Sequence, residues 1–117
     1  MLATLRMENH RADTPVACIS GEIDASNARE IGDRLLGAVS NTAMGLVIDL
    51  SDTEYMDSSG VHLLFELGDR LTRRQQALRV VVPADSFIAD VLGAVTFAGM
   101  ASIDATVIEA IDGLRTA

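Results

Sequence analysis

The chain has 117 residues, 49% of them hydrophobic and only 3% aromatic, and a formal charge of −8 in which every basic residue is an arginine. That length suits one domain over residues 1–117 with an aliphatic core. The acidic balance excludes nucleic acid and anionic membrane as expected partners and favours a partner with a positive face. The missing lysine removes Walker A phosphate loops, Schiff bases and lysine general bases. No apolar run approaches the ~20 residues needed to cross a bilayer, and no basic-plus-apolar leader opens the chain, so a cytoplasmic protein without membrane insertion is expected. Cys18 is the only cysteine, which excludes an internal disulfide, and it reads as a small buried hydrophobe.

Residues 4–8 alternate, with Leu5 and Met7 between Thr4, Arg6 and Glu8, the pattern of an edge strand. A polar turn over 9–14 leads to an apolar strand over 15–19, which Gly21-Glu22-Ile23-Asp24 closes. The short turn makes this pair antiparallel. Ser26 or Asn27 then stands at a helix N-cap with Glu30 in the first turn. Ala28, Ile31, Leu35 and Val39 share one face of that helix, while Arg29, Asp33 and Arg34 lie off it. After a loop over 41–45, Leu46-Val47-Ile48 is continuously apolar, as in a strand covered on both faces.

A short acidic loop follows, and from Ser58 or Ser59 a helix runs to about Gln76, with Val61, Leu63, Leu64, Leu67 and Leu71 as its apolar face. Residues 78–82 form another strand, stopped by Pro83. Asp85 or Ser86 caps a helix over 87–92, and a last short strand is expected over 101–103. Asp104 is read as the cap of a final helix with Val107, Ile108, Ile111 and Leu114 as its apolar face. The alternation predicts an α/β fold: one mixed sheet of four to five strands with helices packed on it and right-handed parallel crossovers.

Asp57-Ser58-Ser59-Gly60 stands where the central helix begins. A helix start offers unpaired N–H groups and the positive end of a dipole. A local side chain can cap it, and a phosphate can be received there. On spacing alone, capping is favoured over a phosphorylation switch. A serine hydrolase is disfavoured: the first glycine of Gly-x-Ser-x-Gly is missing, His10 lies in a turn, and His62 follows the serines along the helix. Asp24, Asp49, Asp52 and Asp57 could converge as a magnesium or aspartyl-phosphate site, but a receiver domain needs a late lysine, so solvated loop acids and caps are favoured. The apolar tract 87–100 is read as core, with Phe97 or Met100 as candidates for partial exposure.

Together, Gly21-Glu22-Ile23-Asp24, Leu46-Val47-Ile48-Asp49-Leu50 and Tyr55-Met56-Asp57-Ser58-Ser59-Gly60-Val61 resemble a STAS domain, and more narrowly the stand-alone bacterial anti-sigma factor antagonists. The resemblance covers nearly the whole chain; residues 87–100 depart from the family pattern. It implies a non-enzymatic partner switch without metal or other cofactor. The unphosphorylated antagonist binds an anti-sigma factor that is also a serine kinase and so frees a sigma factor. Phosphorylation releases the antagonist, and a PP2C-type phosphatase resets it. By the motif, Ser58 is the implied acceptor, with Ser59 less favoured. Asp24, Asp57, Ser58, Ser59, Gly60 and His62 are the implied partner-binding residues. The alternative within the family is a non-phosphorylated scaffold or accessory subunit of a transport or stressosome complex.

Overall fold

Alternating side chains near the N-terminus build the first hairpin of the computed structural model, which describes residues 2–10, 14–94 and 102–116. Strand β1 (Thr4–His10) pairs antiparallel with β2 (Thr14–Ile23), placing Leu5 opposite Ile19 and Arg6 opposite Cys18. Beyond β2 the sheet is parallel. Strand β3 (Gly45–Asp49) pairs with β2, β5 (Ala77–Val81) pairs with β3, and β6 (Ser102–Asp104) pairs with β5. The spatial order is β1-β2-β3-β5-β6.

A sixth strand, β4 (Thr53–Met56), lies in the stretch expected to be an acidic loop. It pairs parallel with the far end of β2, past a bulge at Gly21/Glu22 where Gly21 takes φ 95°. That positive φ favours glycine, and the bulge turns the end of β2 away from β3 so that it can accept a second partner. The sheet is mixed, as expected, with six strands rather than four to five. Four residues are too few for a period-2 pattern to declare itself, and only Thr53 and Met56 of β4 are buried.

Both faces of the sheet are covered, by unequal layers. Helices α1 (Ala28–Gly37), α2 (Ser58–Arg73) and α3 (Phe87–Ala94) pack on one face, where Ala17, Ile19, Leu46, Ile48, Leu78 and Val80 meet Ile31, Leu35, Leu64, Leu67, Leu71, Ile88 and Leu92. Helix α4 (Val107–Thr116) covers the other face over β3, β5 and β6, with Val16, Val47 and Val81 against Ala110, Ile111 and Leu114. The run Leu46-Val47-Ile48 is fully buried because its side chains alternate between these two layers. Each such aliphatic side chain contributes roughly 1.5–3 kcal/mol on burial.

One expected helix start and one expected helix end are corrected. Asp104 does not cap α4. It is the last residue of β6, and its carboxylate accepts both Arg79 Nε and Arg79 Nη2 at 2.9 Å. Thr106 caps α4 instead, its Oγ1 accepting the Glu109 N–H at 3.2 Å and lying 3.1 Å from Glu109 Oε1. The helix therefore begins at Val107, and Ile108 is turned out, 67% exposed, with Ala110 taking its place in the core. Helix α2 ends at Arg73 rather than about Gln76, because Gln75 adopts φ 60°. The Gln76 and Gln75 amides then bond back to Leu71 O and Thr72 O, closing a Schellman motif. Phe97 and Met100 lie outside the described residues.

Candidate functional site

The site is built where two parallel strands end side by side. Ile23 of β2 pairs with Met56 of β4, so Asp24 and Asp57 leave neighbouring strands, about 4.8 Å apart, and begin neighbouring turns. The Asp57 amide also donates to Ile23 O at 3.2 Å. Helix α1 grows from the Asp24 turn and α2 from Asp57, so both run in the same direction from the carboxyl end of the sheet.

At the start of α2 the structure settles which side chain caps. Asp57 is the N-cap, with extended backbone angles (φ −95°, ψ −170°), and its Oδ1 accepts the Ser59 N–H at 2.8 Å and the Gly60 N–H at 3.3 Å. Ser58 and Ser59 are the first two helical residues, and their hydroxyls make no hydrogen bond among the described residues. Of the side chains able to cap this helix, the aspartate does so and neither serine does. Ser58 is exposed and Ser59 half-buried.

Gly60 is buried beneath them. A Cβ there would lie 2.4 Å from Met56 Cγ and 3.1 Å from Ile23 Cγ2, so the helix start is pressed against the ends of β2 and β4. Close packing fixes the direction in which Ser58 is presented.

The Asp24 turn is equally ordered. Its Oδ1 accepts the Ser26 N–H at 2.9 Å and the Ser26 hydroxyl at 2.5 Å. Those bonds, the hydroxyl first, hold the Asp24 carboxyl below the usual range. Asn27 stands at the N-cap of α1 but does not cap it. Its Oδ1 accepts the Asp24 N–H and its Nδ2 donates to Glu22 O, tying the turn to the strand.

His62 is exposed one turn after Ser58, its Nε2 3.6 Å from Glu66 Oε2 and so directed along the helix, as expected. Asp49 Oδ1 accepts from the amide and hydroxyl of Ser51. Among the described residues, no group of three or more His, Cys, Asp or Glu side chains could hold a metal ion. None of their helices is long and apolar enough to cross a membrane. Cys18 is half-buried on the α4 side of the sheet, where burial pushes its thiol up.

Ser58 borders two grooves. One, about 760 Å³, lies between α1 and α2 and also reaches Arg29, Ser59, His62 and Arg70. The other, about 440 Å³, lies between α2 and α3 and is apolar, with Val61, Phe65 and Val91 beside His62. Close to it, Tyr55 (43% exposed) and Phe87 (53%) stack with ring centroids 6.1 Å apart and planes at 12°. Residues 53–66 and 85–92, which build this side, carry Glu54, Asp57, Glu66, Asp85 and Asp90 and no lysine or arginine. Neither the aromatic pair nor Arg29 was marked by sequence, since each depends on which elements become neighbours.

The family model of the STAS domain matches residues 8–110. The chain belongs to the STAS domain family. Solved structures share the fold of this STAS domain. An anti-sigma factor antagonist from Mycobacterium paratuberculosis is similar at 24% identity over 97% of this chain and 95% of that one, with a TM-score of 0.83. The anti-sigma factor antagonist SpoIIAA in its unphosphorylated form is similar at 23% identity over 97% and 100%, TM-score 0.70. The phosphorylated form of SpoIIAA, a Bacillus cell fate determinant, matches at 23% identity over 96% and 100%, TM-score 0.68.

Proposed function

We propose that this STAS domain is an anti-sigma factor antagonist switched by phosphorylation of Ser58. The observation that carries the reading is the division of labour at the start of α2. Asp57 supplies the cap, so the exposed Ser58 hydroxyl has no structural duty and is held at a rigid, accessible point. Ser59 is more buried and borders only the α1–α2 groove, which favours Ser58 as acceptor. The fold is shared with SpoIIAA, which exists in unphosphorylated and phosphorylated forms.

The partner is an anti-sigma factor with serine kinase activity, and a PP2C-type phosphatase reverses the modification. The unphosphorylated protein offers an apolar groove and an aromatic stack on a side whose charged residues are all acids, which suits an apolar docking face rimmed by basic side chains. Asp57, Ser58 and His62 line this groove, Asp24 begins the turn beside Asp57, and buried Gly60 supports the helix start from behind. Phosphorylating Ser58 adds about −1.5 to −2 charges beside Asp57. A penalty of ~4 kcal/mol in the docked state is about a thousandfold in affinity, so the switch needs no refolding. The protein acts by binding, in the cytoplasm, and is not an enzyme.

The test is incubation with the cognate anti-sigma kinase and ATP, site mapping by mass spectrometry, and affinity measurements on Ser58→Ala and Ser58→Asp. Phosphate on Ser58, tight binding by Ser58→Ala and much weaker binding by Ser58→Asp are expected. Equal binding by both variants, with no phosphate incorporated, would point instead to a constitutive scaffold in a transport or stressosome complex.

A further inference from the structure

We propose that the groove between α1 and α2 is an intramolecular receptor for the phosphate on Ser58, with Arg29 as its cation. The proposal rests on Ser58 being the acceptor and concerns what the modified side chain does next.

The start of α2 is poorly placed to receive the phosphate by itself. Its Ser59 and Gly60 amides are already taken by the Asp57 carboxylate, which adds a like charge beside the new one. A phosphate of about −1.5 to −2 charges is stabilised there by a nearby guanidinium, through charge-assisted hydrogen bonds.

The helix register shows which arginine is in reach. Helices α1 and α2 run in the same direction, and a Cβ on Gly32 would lie 2.6 Å from Leu63 Cδ1, so the two helices meet closely at this point. Arg29 is three residues before Gly32, and Ser59 is four before Leu63. At 1.5 Å per residue both lie roughly 4.5–6 Å from that contact toward the helix starts. Arg29 and Ser58 both line the groove between the two helices. Arg29 is exposed and makes no hydrogen bond or ion pair among the described residues. Arg70 lines the same groove but is twelve residues beyond Ser58, about 18 Å along the helix.

The other charged groups lining the groove are Asp33 on α1 and His62 and Glu66 on α2, with Asp57 at the α2 cap. His62 sits 3.6 Å from Glu66 and already has an acidic neighbour. Because Ser58 borders both grooves, engagement by Arg29 draws the phosphate to the α1 side, away from the apolar α2–α3 groove.

The experiment installs phosphoserine at position 58 by genetic encoding, so no kinase is needed, and follows the ³¹P shift against pH. Arg29→Gln is expected to raise the second phosphate pKa by roughly half a unit relative to the parent phosphoprotein, a modest shift because the site is exposed. Arg70→Gln and His62→Gln are expected to leave it nearly unchanged. Arg29 is exposed, so its variant should keep the parent circular dichroism and melting point. An unchanged titration in Arg29→Gln, or a shift produced by His62→Gln instead, overturns the receptor. Failure of the cognate kinase to label Ser58 would count against the switch itself, while the titration would still decide whether Arg29 holds a phosphate placed there.

Discussion

Replacing Asp57 by alanine separates the cap of α2 from its neighbouring hydroxyls. The Asp57 carbonyl keeps its bonds from Gly60 N and Val61 N at 3.1 and 3.2 Å, so the substitution strips only the side-chain acceptor of the Ser59 and Gly60 amides. Losing an N-cap side chain costs about 1 kcal/mol, and losing a carboxylate at the dipole's positive end adds about 0.3–1 kcal/mol. With the 2.8 Å bond to Ser59 N only partly buried, the total falls within that sum, at about 1.5 kcal/mol. For a chain of this size that is a fall in Tm of roughly 6 °C. Asp57→Asn keeps the acceptor and should lose only the charge contribution. Ser58→Ala and Ser59→Ala should change stability by less than about 0.5 kcal/mol. Urea unfolding followed by far-ultraviolet circular dichroism, with an unchanged slope, measures all four. If Ser58→Ala or Ser59→Ala is as destabilising as Asp57→Ala, the assignment of the cap is wrong, and with it the argument that frees Ser58 for modification.

Three further outcomes follow from the geometry. Gly45→Ala would put a Cβ 2.0 Å from the backbone oxygen of Ala77, inside the β3–β5 pairing where nothing can yield, so a loss above ~3 kcal/mol or failure to fold is expected on denaturant titration. Gln75→Gly should stabilise by up to ~1 kcal/mol, since Gln75 holds φ 60° at the Schellman turn; an unchanged or lowered Tm would contradict that strain. The Asp24 carboxyl titrates below its ordinary value, so its contribution to stability is complete above pH ~4 and is lost as the pH falls through the lowered value. Ser26→Ala should move the Asp24 carboxyl resonance titration back up, and no movement would mean that the Ser26 bonds are not the cause.

Much of the fold was legible because burial follows local periodicity. The face Ala28, Ile31, Leu35 and Val39 is buried as its spacing required, as are Val61, Leu64, Leu67 and Leu71 on α2. What failed did so where neighbouring residues offer equivalent chemistry. Asp57, Ser58 and Ser59 can each cap a helix, and only the extended backbone at Asp57 selects among them. Asp104 can cap a helix too, but Arg79 one strand away holds it in β6 and moves the start of α4 to Val107.

The sequence by itself determined the sheet-and-helix alternation, the doubly covered strand at Leu46-Val47-Ile48 and the position of the Asp-Ser-Ser-Gly segment at a helix start. These are local matters, decided by residue spacing and by which side chains water rejects. Tertiary structure decided the rest: β4 on the bulged end of β2, the Tyr55–Phe87 stack, and Arg29 lining one groove with Ser59. Each joins residues at least 30 positions apart, and local periodicity carries no information about which distant elements will pack together.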